Sequence, residues 1–343
     1  MNEIKHKNES HLERATLGGG CFIQWTAIYL QRGTYKKIKP NNMKKIITTW
    51  AILLLTIISA SAQNGIVVFQ TDFGTKDGAV SAMKGVASSV DVNLKLYDLT
   101  HDIPAYNIWE AAYRLDQTVA YWPAGTVFVS VVDPGVGTQR KSVVVKTKSG
   151  HYIVTPDNGT LTLIATSLGI DSVREIDEVI NRRKNSGASY TFHGRDVYAY
   201  TAARIASHKI SYEQVGKIST DPITSLPFQK AQLVDEKLMG TIDILDIQYG
   251  NIWTNINQEN WKKLNSLVHA KNELQVQIFH ANKLIYTGSM PFENTFGGVA
   301  IGKPLAYLNS LMNVSFALNQ GSFSEKYHVK AGSSWTVAIQ WAK

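Results

Sequence analysis

Residues 65–90 read GIVVFQTDFGTKDGAVSAMKGVASSV, and this stretch decides the fold. Ile66 to Gln70 is a short apolar run of the kind buried on both faces of a sheet, and Asp77 to Val90 carries helical periodicity. The polar loop TDFGTKD, residues 71–77, joins them. The same alternation continues outward. Leu94 to Asp98 reads as a strand, and Asn107 to Tyr121 as a helix with apolar Ile108, Ala111, Ala112, Leu115 and Val119. Thr126 to Val132, Ser142 to Lys146 and Tyr152 to Thr155 read as strands, and Arg195 to Ser207 as a helix. Strand then helix, repeated, predicts an α/β N-terminal domain with a largely parallel central sheet over residues 63–216.

Gly216, Pro222 and Pro227 then punctuate a stretch without periodicity, and residues 217–236 read as a linker. Beyond it Met239 to Ile247, Leu274 to His280, Leu284 to Thr287, Leu305 to Asn309, Val314 to Leu318 and Trp335 to Trp341 are strand-like, with one short helix near Glu259 to Leu264. Residues 237–343 are expected to form a smaller β-barrel-like C-terminal domain.

The 343 residues carry a formal charge of +8. Residues 1–62 hold nine Lys/Arg against three acids, a net of +6, which leaves +2 for the remainder. A body so close to neutral gives no reason to expect a nucleic-acid partner. From Met43 the chain reads MKKIITTWAILLLTIISASAQ, with two lysines, an apolar run from Ile46 to Ile58 and Ala60-Ser61-Ala62 before Gln63. This is the layout of a secretory signal peptide, residues 43–62, so export to the periplasm or medium is expected, with no membrane association after its removal. Residues 1–42 are an upstream extension under this reading, with translation starting at Met43. The one cysteine, Cys21, lies in that extension, so the exported chain has neither disulfide nor thiolate chemistry.

In an open α/β sheet, ligands gather at the carboxyl ends of strands. TDFGTKD offers Asp72, whose carboxylate can accept two hydrogen bonds from a vicinal diol, while the plainer reading is that Asp72 or Asp77 caps the next helix. VDPGVGTQR, residues 132–140, places Asp133 and Arg140 at the ends of a glycine-rich loop. Folding back would pair them, although Asp-Pro-Gly is also a common turn. The lysine and hydroxyl of a phosphate loop are missing. TPDNG, residues 155–159, most often means a tight turn. In YTFHGRD, residues 190–196, His193 feeds the same sheet edge as Asp133, and Asp196 reads as first-turn decoration. In the second domain DIQYGNIWTN, residues 246–255, gathers polar and aromatic groups at a strand end, with a hairpin over packed aromatics as the plain alternative. Asp72, Asp77, Asp133 and His193 lack a metal-ligand spacing, so no metal is expected.

Six stretches, TDFGTKD, LTHDIPAYN, VVDPGVGTQRKSV, PDNGTLT, TFHGRD and DIQYGNIWTNI, taken in this order, resemble the adenosine-forming S-adenosylmethionine (SAM) hydrolases, also called SAM hydroxide adenosyltransferases. These are relatives of the fluorinases and chlorinases. The resemblance spans residues 65–325. It implies a homotrimer whose active sites lie between the first domain of one subunit and the second domain of its neighbour. It further implies a small-molecule substrate, SAM, and no cofactor. By resemblance the catalytic residues are Asp133, Arg140 and His193. Asp72 would bind the ribose hydroxyls, with Tyr106 and Phe192 around the sugar and sulfonium. From the neighbouring subunit Asp246 would meet the methionine ammonium, Tyr249 and Asn251 the adenine, Trp253 the pocket wall and Ser310 the methionine carboxylate. Where family members often carry an arginine three residues past that serine, this chain has Asn313. The expected activity is hydrolysis of SAM to adenosine and L-methionine. The alternatives are a halogenase using chloride or fluoride, and an exported nucleoside-binding protein without turnover.

Overall fold

A computed structural model describes residues 64–267 and 272–342. The expected extension and signal segment, residues 1–62, lie outside the described residues. Strands β1 (Ile66–Thr71), β2 (Lys95–Thr100), β3 (Val127–Val131), β4 (Ser142–Thr147), β5 (Tyr152–Pro156) and β6 (Ile170–Glu175) form one sheet in the order β2-β1-β3-β5-β4-β6. Helices α1 (Ala79–Val90), α2 (Ile108–Val119), α3 (Thr162–Ser167) and the four-residue α4 (Glu178–Asn181) are interleaved with them.

The two-residue period of the strands sorts their side chains into two cores. Val67 and Phe69 meet Met83 and Ala87 of α1 on one face, while Val68, Phe128 and Ile153 meet Leu115 and Val119 of α2 on the other. Each of these fully buried side chains larger than alanine contributes about 1.5–3 kcal/mol. With α1 and α2 on opposite faces, the chain leaves β1 in one direction and returns past it to β3. The strand order therefore reverses between β1 and β3, the place where such sheets open a crevice.

The sheet is largely parallel, as expected: β2, β1, β3, β5 and β6 run one way, and β4 alone is reversed, antiparallel to both β5 and β6. The β4–β5 connection is a tight turn closed by Gly150 N–H on the Thr147 carbonyl, too short for the crossover a parallel pair requires. The helix expected from Arg195 begins as a π-helical turn, Gly194–Ala199, and becomes α-helical only in α5 (Tyr200–Ala206).

The segment expected as a linker carries structure: Ile218 bridges Arg174 at the edge of β6, and β7 (Gln232–Val234) pairs with β8 (Lys237–Asp246). The second domain adds β9 (Asn251–Asn257), α6 (Gln258–Asn265), β10 (Leu274–His280), β11 (Lys283–Met290), β12 (Pro304–Leu308), β13 (Asn313–Leu318), α7 (Phe323–Tyr327) and β14 (Gly332–Trp341). Its antiparallel sheet runs β11-β10-β14-β8-β9-β13-β12, and irregular register in β8, β13 and β14 curls it around a core containing Trp261, Phe316 and Phe323. The two domains dock through α2 and β8. Trp109 Nε1 donates to the Asp243 carbonyl at 2.9 Å and Arg114 Nη2 to the Leu245 carbonyl at 3.0 Å. Among the described residues no helix is long and apolar enough to cross a membrane.

Candidate active site

Thr71 at the end of β1 is in register with Val131 at the end of β3, so Asp72 and Asp133 leave the sheet as neighbours at the crevice. Asn158 of the TPDNG turn donates to the Val132 carbonyl at 2.8 Å and fixes the chain just before Asp133. The loop then folds back through Gly137, where φ is +77° and a β-carbon would meet the Tyr190 carbonyl at 3.2 Å. Glycine permits both the turn and the close approach. Arg140 thereby returns onto Asp133. Its Nε lies 3.0 Å from each carboxylate oxygen, and its Nη2 also bonds Oδ2. The Asp133 side chain is only 4% exposed, which makes this a fixed, forked clamp. Burial alone would lower the Arg140 pKa, but the bonds to Asp133 hold it above its ordinary value.

The network continues past the clamp. Arg140 Nη1 donates at 2.9 Å to the hydroxyl of Ser142, the first residue of β4. That hydroxyl lies 3.2 Å from the buried Tyr198 hydroxyl and 3.4 Å from Glu178 Oε1. Glu178 Oε2 accepts from Arg182 Nη2 at 2.6 Å, and the same Nη2 is 3.2 Å from His193 Nε2. His193 Nδ1 is 3.0 Å from the Tyr190 carbonyl. A carbonyl only accepts, so Nδ1 carries the hydrogen and Nε2 accepts from Arg182 when the ring is neutral. Nε2 is also 3.5 Å from Glu178 Oε1, which it faces once protonated. The His193 contact, reinforced by Arg182 and opposed by burial, pushes the Glu178 carboxyl down to about 2. Asp133, Arg140 and His193 thus share one network but not one contact: the imidazole reaches the clamp through Glu178 and Ser142.

Around this centre, Asp72 accepts the Tyr106 backbone N–H at 3.0 Å and holds that residue at φ +68°, an unusual conformation for an aromatic side chain. Neither Asp72 nor Asp77 is the N-cap of α1, which is Gly78; Asp77 Oδ1 takes the Ala79 N–H at 2.9 Å in the turn that leads into the helix. Phe192 is half-buried, edge-on to Phe73 at 5.9 Å, with the Arg195 guanidinium 4.8 Å from its centroid. Asp196 is not first-turn decoration. It is buried and takes two 2.8 Å bonds from Arg195, an ion pair that packs the π-helical turn.

The remaining expected residues gather on the β domain. Asp246, Tyr249, Asn251, Trp253 and Ser310 line one cleft of about 980 Å³. The β8–β9 hairpin builds its floor: Gly250 N–H closes on the Asp246 carbonyl at 2.7 Å, and Asn251 Nδ2 donates to Asp246 Oδ2 at 3.2 Å. Gly250 sits at φ +68° so close to Ser322 that a β-carbon would overlap its hydroxyl. Trp253 Nε1 lies 3.3 Å from the Tyr307 hydroxyl, which burial pushes up to about 12. Asp246 is the only charged side chain lining the cleft among the described residues, and neither Asn313 nor any residue of the α/β domain lines it. The volume suits a nucleoside-sized ligand.

A second cavity, of about 720 Å³, lies between α2, residues 226–229 and β8. Asp243 lines it, its carboxyl pushed up to about 6 by burial and held by the Thr241 hydroxyl at 2.8 Å. None of the expected site residues borders it. No group of three or more His, Cys, Asp or Glu side chains among the described residues is arranged to hold a metal ion.

Sequence comparison matches residues 67–216 to the SAM hydroxide adenosyltransferase N-terminal domain and residues 240–336 to the corresponding C-terminal domain. The chain belongs to this family. An (R)-S-adenosyl-L-methionine hydrolase of Methanocaldococcus jannaschii is 46% identical over 41% of the chain, a match that spans about half (52%) of that relative. One of the same name from Salinispora tropica is 31% identical, over 77% of the chain and 94% of the relative. A fluorinase of Actinopolyspora mzabensis is 27% identical, over 81% of the chain and 98% of the relative. Among solved structures, an uncharacterised conserved protein from Thermotoga maritima superposes with a TM-score of 0.72 at 33% identity, covering 80% of this chain and 99% of that one.

Four residues of this network, Ser142, Glu178, Arg182 and Tyr198, are not among those the sequence motifs single out. Ser142 opens an apolar strand run and Tyr198 lies inside a helical segment, so neither stands out. Glu178 and Arg182 did carry a signal, opposite charges four residues apart, although the helix between them is too short to show periodicity.

Proposed function

We propose that the chain hydrolyses SAM to adenosine and L-methionine by attack of water at C5′ of the ribose. The observation that carries this reading is the buried Asp133–Arg140 clamp at the crevice of the sheet. The sulfonium makes C5′ electrophilic and leaves as neutral thioether, so the demand falls on a weak nucleophile that must be aligned and deprotonated. Water bonds to C5′, the C5′–S electron pair passes to sulfur, and the proton goes to the Asp133 carboxylate. Arg140 stays protonated and stabilises the developing negative charge on the attacking oxygen. The displacement is redox-neutral and uses no cofactor. Asp72 would hold the ribose diol, and Tyr106 and Phe192 would wall the sulfonium by cation–π attraction.

The β-domain cleft would hold the rest of the substrate, with Asp246 at the ammonium and Tyr249, Asn251 and Trp253 around the adenine. Ser310 offers a neutral donor to the carboxylate. Because the clamp and this cleft lie apart within one chain, the reading includes a homotrimer in which one subunit's cleft closes on its neighbour's clamp. A halide-using reaction is the rival, given relatives named fluorinase. A fixed carboxylate where the nucleophile must sit repels a halide and favours water. Incubating the protein with SAM in chloride- and fluoride-containing buffer and separating the nucleosides tests this. Adenosine with equimolar methionine is expected, and a 5′-halogenated nucleoside or unchanged SAM would overturn it.

A further inference from the structure

We propose that Glu178 is a positioning residue of this centre, the side chain through which His193 and Arg182 hold the Arg140 guanidinium against Asp133 while water attacks. The inference rests on the hydrolase reading and assigns a role to a residue outside the Asp/Arg/His set.

Neither nitrogen of His193 bonds the clamp. Nδ1 is committed to the Tyr190 carbonyl, and Nε2 faces Arg182 and Glu178. Whatever the imidazole contributes must therefore travel through a neighbour. Glu178 Oε1 is the shared atom, 3.5 Å from His193 Nε2 and 3.4 Å from Ser142 Oγ, while Oε2 takes Arg182 at 2.6 Å. Ser142 in turn accepts Arg140 Nη1 at 2.9 Å, on the guanidinium edge that Asp133 leaves open. The chain of contacts thus fixes Arg140 from both sides.

The mount of Glu178 is stiff although α4 is short. Asp177 caps it, accepting the Val179 N–H at 2.9 Å, and buried Asn181 anchors its other end to the Val215 carbonyl at 2.8 Å. Charge balance leads to the same assignment. Two guanidinium groups, Arg140 and Arg182, are matched by two carboxylates, Asp133 and Glu178. Removing the Glu178 charge leaves Arg182 without its carboxylate and the Ser142 hydroxyl without an ionised acceptor, so the mount of the Arg140 guanidinium is what changes. The side chain is set back from the clamp behind Ser142, so substrate affinity should be spared.

The test is Glu178→Gln, which keeps the shape and removes the charge, with Val179→Ala at the 92% exposed neighbouring position as control. For E178Q, kcat for SAM hydrolysis should fall about 100-fold, as expected for a misplaced catalytic group, with KM within about threefold and V179A unaffected. His193→Gln should cost a similar factor. The double variant should be no slower than the slower single, because both changes cut the same link. Wild-type kcat in E178Q, or single effects that multiply, would overturn the proposal. A crystal structure of E178Q reads it without turnover: Arg140 Nη1 should part from Ser142. If wild type forms no adenosine, the hydrolase reading fails, and retention of the Arg140–Ser142 bond in E178Q would separately sink this one.

Discussion

At the end of β3, Asp133 is bonded through both carboxylate oxygens and nearly sealed from solvent, whereas at the end of β8, Asp246 receives one amide bond from Asn251 and faces an open cleft. The first region is a set of alternating charges that satisfy one another. The second has a single formal charge, neutral amides and hydroxyls, and aromatic surface left uncovered, with Tyr249 66% exposed. A prebuilt charge network suits bond making, because its dipoles need no rearrangement when charge develops. An open, mostly neutral cleft suits recognition by shape and stacking, and gains its enclosure from whatever closes over it. The contrast predicts that variants of the two regions fail differently.

Arg140→Ala should produce the largest loss. It strips the partner from a buried carboxylate and removes the charge facing the nucleophile, so kcat for SAM hydrolysis should fall about 1000-fold. Arg140→Lys should recover little, because a lysine cannot fork onto the carboxylate and reach Ser142 together. Loss confined to KM in either variant would blur the distinction between the regions.

Asp246→Asn should act on affinity, raising KM for SAM about 30-fold with kcat nearly kept, the scale of one charge-assisted hydrogen bond. Mixing and reassembling Arg140→Ala chains with Asp246→Asn chains should return activity, since a shared site would draw an intact clamp and an intact cleft from different subunits. No recovery in verified mixed assemblies would confine each site to one chain.

The smallest effect belongs to neither region. Burial pushes the Asp243 carboxyl from 3.8 up to about 6. Between those values the folded chain binds a proton that the unfolded chain releases, so this group costs stability as pH rises through the window. Asp243→Asn should therefore raise Tm by roughly 3 °C at pH 7.5 and leave it unchanged near pH 4. Equal shifts at both pH values would remove desolvation as the cause.

Much of the fold was legible because it rests on local patterns. The runs Ile66 to Gln70 and Thr126 to Val132 are buried strands by composition, and glycine-rich loops mark their ends. The pairing of Asp133 with Arg140 was legible for the same reason, since a seven-residue separation across Pro134, Gly135 and Gly137 permits little else than a fold-back. The antiparallel placement of β4 was hidden, because a valine run looks alike in either direction. The π-helical start of the Gly194 helix leaves no sequence period. Glu178 and Ser142 meet only because α4 and β4 are brought together by β6, a tertiary fact that neither local stretch contains.

The central claim is that water, held at the clamp, becomes the new oxygen on C5′. Turnover of SAM in ¹⁸O-labelled water, with mass analysis of the nucleoside, measures that directly. One ¹⁸O in the adenosine 5′-hydroxyl and none in methionine is the predicted result. Adenosine without label, or a 5′-halogenated nucleoside in its place, would contradict the account.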